Sequence, residues 1–147
     1  MKVKSWFKYL IYITLILFLI VLRDYVGKLV SESYYRFENS SAIYYAVISL
    51  ILGICIGAFL GLEHLIGECG KEGRWKINLP KLILVGLPSL YVSLTNIYFF
   101  SGSVFIMKII AQPLSYLLKY GLDHVSLFQV IFGFVVITSF FKYNEKI

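Results

Sequence analysis

The chain has 147 residues, of which 59% are hydrophobic and 15% charged, with mean hydropathy +0.80. A soluble domain carries about 45–50% apolar and about 25% charged residues, so a water-soluble fold of this size could not hide the excess. The 18% aromatic content equally excludes a disordered chain.

The net charge of +6 is not a nucleic-acid signal, because the basic residues flank apolar runs and form no arm of their own. These numbers predict an all-α integral membrane protein with the lipid bilayer as its principal partner. The expected architecture is a single transmembrane domain, 1–147: a four-transmembrane-helix bundle with one amphipathic helix between spans 3 and 4.

A membrane helix needs about 20 apolar residues. The first window, 6–22, follows Lys2 and Lys4 and includes Lys8, whose ammonium can snorkel to the interface. No small-residue cleavage pattern follows it, so it reads as an uncleaved signal anchor.

The second window, 42–62, contains no charged residue and carries Ser49, Gly53, Gly57 and Gly61 at intervals of four. That spacing keeps all four on one helix face, and small residues let two helix backbones approach closely in lipid. The stripe predicts a helix–helix contact within the chain, with a second copy, or with another membrane protein. Its last turns lead to Glu63, His64, Glu68 and Cys69. His64 and Glu68 have the spacing of two metal ligands on a helix, but no second pair accompanies them, so neither metal nor cofactor is expected. Cys55 lies within the run and reads as a small packing residue.

The loop 70–81 is basic, with Asn78 and Pro80 placed to start the next helix as cap and early-turn residue. The third window, 82–100, is uncharged and stacks Gly86, Ser89, Ser93 and Asn96 on one side, with Pro88 predicted to kink it. This face reads as packing against span 2, or as a polar path.

Residues 104–120 tempt a fifth span. However, Lys108, Gln112, Ser115 and Lys119 recur every three or four residues and fall on one stripe. That pattern predicts an interfacial or shallow re-entrant helix, divided by Pro113. The fourth window is 125–141.

Orientation follows from Lys and Arg. Lys2, Lys4, Lys8, Lys71, Arg74, Lys76, Lys81, Lys142 and Lys146 fall on one side of this arrangement. Arg23, Lys28, Arg36, Lys108 and Lys119 fall on the other. The richer side should be cytoplasmic, with both termini. The Ile-, Lys-, Tyr- and Phe-rich composition points to an AT-rich bacterial genome and hence a bacterial plasma membrane.

No hydrolase elbow, phosphate-binding loop or HExxH occurs, so those enzyme classes find no foothold. The leading expectation is a non-enzymatic membrane subunit that associates with itself or a partner through helices. The alternative is a small channel or transporter with a polar path along span 3. A lipid enzyme using Glu63, His64 and Glu68 comes last.

Overall fold

A computed structural model describes residues 2–36, 39–118 and 123–143. The first helix, α1 (Lys2–Tyr35), has 34 residues. Its aromatic and β-branched residues are modest helix formers in water, but in lipid each peptide group must be satisfied within the segment, which enforces the helix. At 1.5 Å per residue α1 is about 51 Å long, well beyond the hydrocarbon thickness of about 30 Å. The window 6–22 therefore covers only half of it. Arg23, Asp24 and Lys28, expected in a loop, lie on the helix, because nothing after Leu22 stops it.

The second helix, α2 (Asn39–Cys69), likewise overruns its window at both ends, with 31 residues. Among the described residues, three stretches are long and apolar enough to cross a membrane: Tyr9–Glu32, Ala42–Cys69 and Leu79–Phe100. The fold is thus all-α in its bulk and consistent with a multi-span membrane bundle.

The Leu79–Phe100 stretch is built from pieces. A short α3 (Leu79–Lys81) opens it, with Asn78 Oδ1 accepting the Lys81 N–H at 3.2 Å and Pro80 in the first turn. A π-helical turn follows at Leu82–Gly86, where the Leu87 N–H donates to the Leu82 carbonyl five residues back. This widened turn sits just before Pro88, which has no N–H to give. The path continues as α4 (Leu87–Ser93) and α5 (Thr95–Phe100), joined at Leu94.

Residues 104–118 form a divided helical segment of changing pitch. A second π turn, Ile106–Ala111, passes into a 3-10 turn, Gln112–Leu114, and then α6 (Ser115–Leu118). Pro113 imposes the change of pitch by removing a donor and crowding the preceding turn. The Tyr91 hydroxyl donates to the Ile110 carbonyl at 2.6 Å and ties this segment to α4.

The last helix, α7 (Asp123–Thr138), has 16 residues, about 24 Å, and ends three residues before the 125–141 window does. Beyond it the chain extends into β2 (Phe140–Tyr143), antiparallel to β1 (Arg74–Ile77). Arg74 pairs with Tyr143 and Ile77 with Phe140. The Asn78 N–H donates to the Ser139 carbonyl at 2.8 Å, extending the ribbon.

Glu68, at the end of α2, completes the join: its carboxylate accepts the Lys142 backbone N–H at 2.9 Å and pairs with Lys71. The Lys142 ammonium donates to the Cys69 and Lys71 carbonyls at 2.9 and 2.7 Å, and stands 5.3 Å from the Trp75 ring.

The interior is small and polar while the exterior is large and apolar. Gln129, Val125, Thr95, Ser89, Ser93 and Ser139 are the largest fully buried side chains, whereas Leu84 is 74% and Phe18 64% exposed. Water would penalise that distribution, and lipid would not.

Candidate functional site

The site grows from the approach of α2 to α7, the most extensive helix contact among the described residues. A Cβ at Gly57 would overlap the Val130 carbonyl oxygen, and one at Gly133 would overlap that of Ile54. A Cβ at Gly61 would come within 2.9 Å of the Ile137 side chain. Residue numbers rise together along the two helices, so they run parallel. The stripe thus faces α7, not the third span, because Gly133 supplies the reciprocal gap that lets the backbones touch.

At Gly53 the vacancy has a different occupant. A Cβ there would lie 2.6 Å from Gln129 Cβ and 2.8 Å from its Oε1. Gln129 is fully buried in this seat. Its Oε1 accepts from Arg23 Nη2 at 2.8 Å, and its Nε2 donates to the Ser93 carbonyl at 3.3 Å. One amide therefore links α1, α4 and α7. Gly53 lies near the centre of the uncharged 42–62 run, so the partly buried Arg23 side chain meets α2 and α7 midway along that run. Ionisable residues within membrane helices mark candidate functional sites.

Beside Arg23 lies a cavity of about 440 Å3. Arg23, Asp24, Gly27, Lys28, Val30 and Ser31 line it from α1, Ser49 from α2, Asn96 from α5 and Ser126 from α7. A second, smaller cavity of about 270 Å3 lies between Tyr9, Tyr12 and Leu15 of α1 and Phe59, Glu63 and Ile66 of α2.

The residues singled out from sequence divide between these roles. Gly53, Gly57 and Gly61 form the α2–α7 seam, while Ser49 and Asn96 line the polar cavity. Ser93 contributes its carbonyl to Gln129; its hydroxyl returns to Leu90. The Ser89 hydroxyl donates to the Val85 and Gly86 carbonyls of the preceding turn, at 2.7 and 2.9 Å, and so is satisfied locally. A Cβ at Gly86 would make only ordinary contact, 3.4 Å from Leu82.

Lys108 and Gln112 are exposed, and Ser115 donates to the Gln112 carbonyl at 2.6 Å. Lys119 lies outside the described residues. Among the described residues, no group of three His, Cys, Asp or Glu side chains is placed to hold a metal ion.

Sequence reasoning missed Arg23 and Gln129. Gln129 carried a signal, as the one amide within the 125–141 run. Arg23 carried none, since its position one residue past an apolar window matched an ordinary loop charge. The chain matches no protein-family model, no curated protein and no solved structure.

Proposed function

We propose that this chain is a non-enzymatic plasma-membrane protein of bacterial type that binds and passes a small polar solute through the cavity beside Arg23. The observation that carries this reading is the link from partly buried Arg23 through fully buried Gln129 to Ser93, beside a cavity shared by four helices. Ionisable side chains within membrane helices commonly line solute paths. The association reading is less favoured, because α7 of the same chain packs against Gly53, Gly57 and Gly61 of the stripe.

The proposed topology has four crossings, with the ends on the cytoplasmic face. The β1–β2 ribbon supports it: the two strands can pair only if the chain crosses an even number of times between Ile77 and Phe140. Segment 104–118 then enters the bilayer without crossing it, and α7 with its extension makes the fourth passage.

The test is solute flux in vesicles reconstituted with the purified full chain. Solute-dependent flux that falls with Asn96→Leu and Gln129→Leu supports the reading. Absence of flux across anions, cations and neutral solutes, with one reproducible co-purifying membrane protein, returns the chain to the association class. The lipid-facing surface of α1 would then be its contact, since it packs chiefly on α2.

A further inference from the structure

We infer that the β1–β2 ribbon is a docking face for the headgroup of an anionic phospholipid, received by Arg74, Lys76 and Tyr143. The inference goes beyond solute handling and makes no use of the cavity beside Arg23.

The register of the ribbon decides which side chains share a face. Opposite residues in an antiparallel pair project to the same side, and successive residues along a strand to alternate sides. Arg74 lies opposite Tyr143 and Lys76 opposite Phe141, so these four share one face. Trp75 and Lys142 belong to the other. The Lys142 ammonium, bonded to the Cys69 and Lys71 carbonyls, turns that other face toward the end of α2. The Arg74 face is left turned away, with Arg74, Lys76 and Tyr143 all exposed.

The polar groups of this face gather around one ring. The Lys76 ammonium stands 3.9 Å from the centre of the Tyr143 ring. Arg74 faces the same tyrosine across the ladder, where opposite Cβ atoms lie about 5 Å apart. A guanidinium, an ammonium and a phenol hydroxyl together suit a phosphate. Neighbouring cations are already engaged: Lys71 with Glu68, Lys81 with the Thr138 hydroxyl, and Lys142 with carbonyls. Of the nearby carboxylates, Glu68 is held by Lys71 and the Lys142 N–H, and Glu72 precedes the strand.

Placement favours a lipid over an acidic protein segment. β1 follows closely on the end of α2 and leads directly into Leu79–Phe100, both stretches being long and apolar enough to cross a membrane. The ribbon therefore lies where helices leave the bilayer. From Arg74 and Lys76 the chain passes Trp75 and Ile77, each 47% exposed, and then the exposed Leu79, Ile83 and Leu84. Charge, aromatic ring and aliphatic surface thus follow the order of headgroup, interface and hydrocarbon. Basic clusters so placed attract anionic lipid.

The test uses the purified full chain in neutral detergent, titrated with phosphatidylglycerol and, separately, with phosphatidylcholine. Native mass spectrometry reads the binding, and hydrogen exchange across 74–77 and 140–143 locates it. Phosphatidylglycerol should bind at least about tenfold more tightly, each cation contributing roughly fivefold. It should also slow exchange in the ribbon, and phosphatidylcholine should not.

Arg74→Gln combined with Lys76→Gln should abolish the preference at unchanged unfolding temperature, since both side chains are exposed. If the double variant loses the ribbon, Arg74→Gln alone carries the test, with a loss of about fivefold. Equal binding of the two lipids, or an undiminished preference in the folded variant, overturns the inference. Preference without slowed exchange in the ribbon places the lipid elsewhere and overturns it equally. Protection by a polyglutamate peptide and not by phosphatidylglycerol would make an acidic protein segment the occupant, and the inference falls. None of these failures touches the solute reading, which flux decides.

Discussion

Gly53 and Gln129 share one volume: the space that a side chain at 53 would occupy is filled by the amide that holds Arg23. A glycine is conformationally unfavourable within a helix, yet here its missing Cβ is what admits a polar group to the core. The same stripe serves two ends, close backbone packing at Gly57 and Gly61, and a polar seat at Gly53.

Alanine substitutions along α2 should therefore rank by what each Cβ meets. Gly57→Ala meets backbone and should be the most destabilising. Gly53→Ala should cost about 1–3 kcal/mol, the usual range for overpacking. Gly61→Ala meets the Ile137 side chain and should be milder, while Gly67→Ala meets nothing within 4 Å and should be neutral or slightly stabilising. Thermal unfolding in detergent measures the order; equal effects at 57 and 67 would contradict the α2–α7 seam.

Removing the Gln129 amide should destabilise the bundle more than its volume implies. Gln129→Leu withdraws the acceptor from Arg23 and should cost about 1–3 kcal/mol. Combining it with Arg23→Leu removes both members of the link and should recover part of that loss. Strict additivity in this double-mutant cycle would show that the two side chains do not interact.

Cys69 gives a direct reading of topology. It is exposed at the end of α2, beside the β1–β2 ribbon. In a Cys55→Ser background, a membrane-impermeant maleimide should label it in inside-out vesicles and not in intact cells. Labelling from the cell exterior would reverse the proposed orientation.

The Glu68 carboxylate should govern how firmly β2 is held. Glu68→Ala removes the acceptor of the Lys142 N–H, and amide exchange across 140–143 should accelerate. Lys71→Ala removes only a partner whose side chain is 60% exposed, and exchange there should change little. Equal protection in both variants would show that the ribbon is held by its own ladder alone.

Hydropathy marked the apolar stretches well, because lipid imposes length and composition directly. The stripe on α2 was legible for the same reason, its period of four being local. Its partner was not, since a single glycine in the last helix, Gly133, makes no pattern by itself. The ribbon was hidden because four-residue segments such as Arg74–Ile77 are too short to show a period, and their pairing joins distant parts of the chain. The π turns before Pro88 and Pro113 shifted the phase of helices that were read at a uniform pitch. Arg23 escaped because its importance lies in a contact across 106 positions of sequence.

The pairing of α2 with α7 also sets a timetable. At about 5–20 residues per second, the ribosome needs roughly 4–15 s to travel from Gly57 to Phe134. During that interval the groove on α2 has no helix to receive. Ribosome-stalled chains ending near position 120 should crosslink to other membrane proteins through a probe at position 57, and chains extended past 143 should not. Until α7 arrives, the most adhesive face of the molecule belongs to whichever helix reaches it first, including the α7 of a neighbour already made.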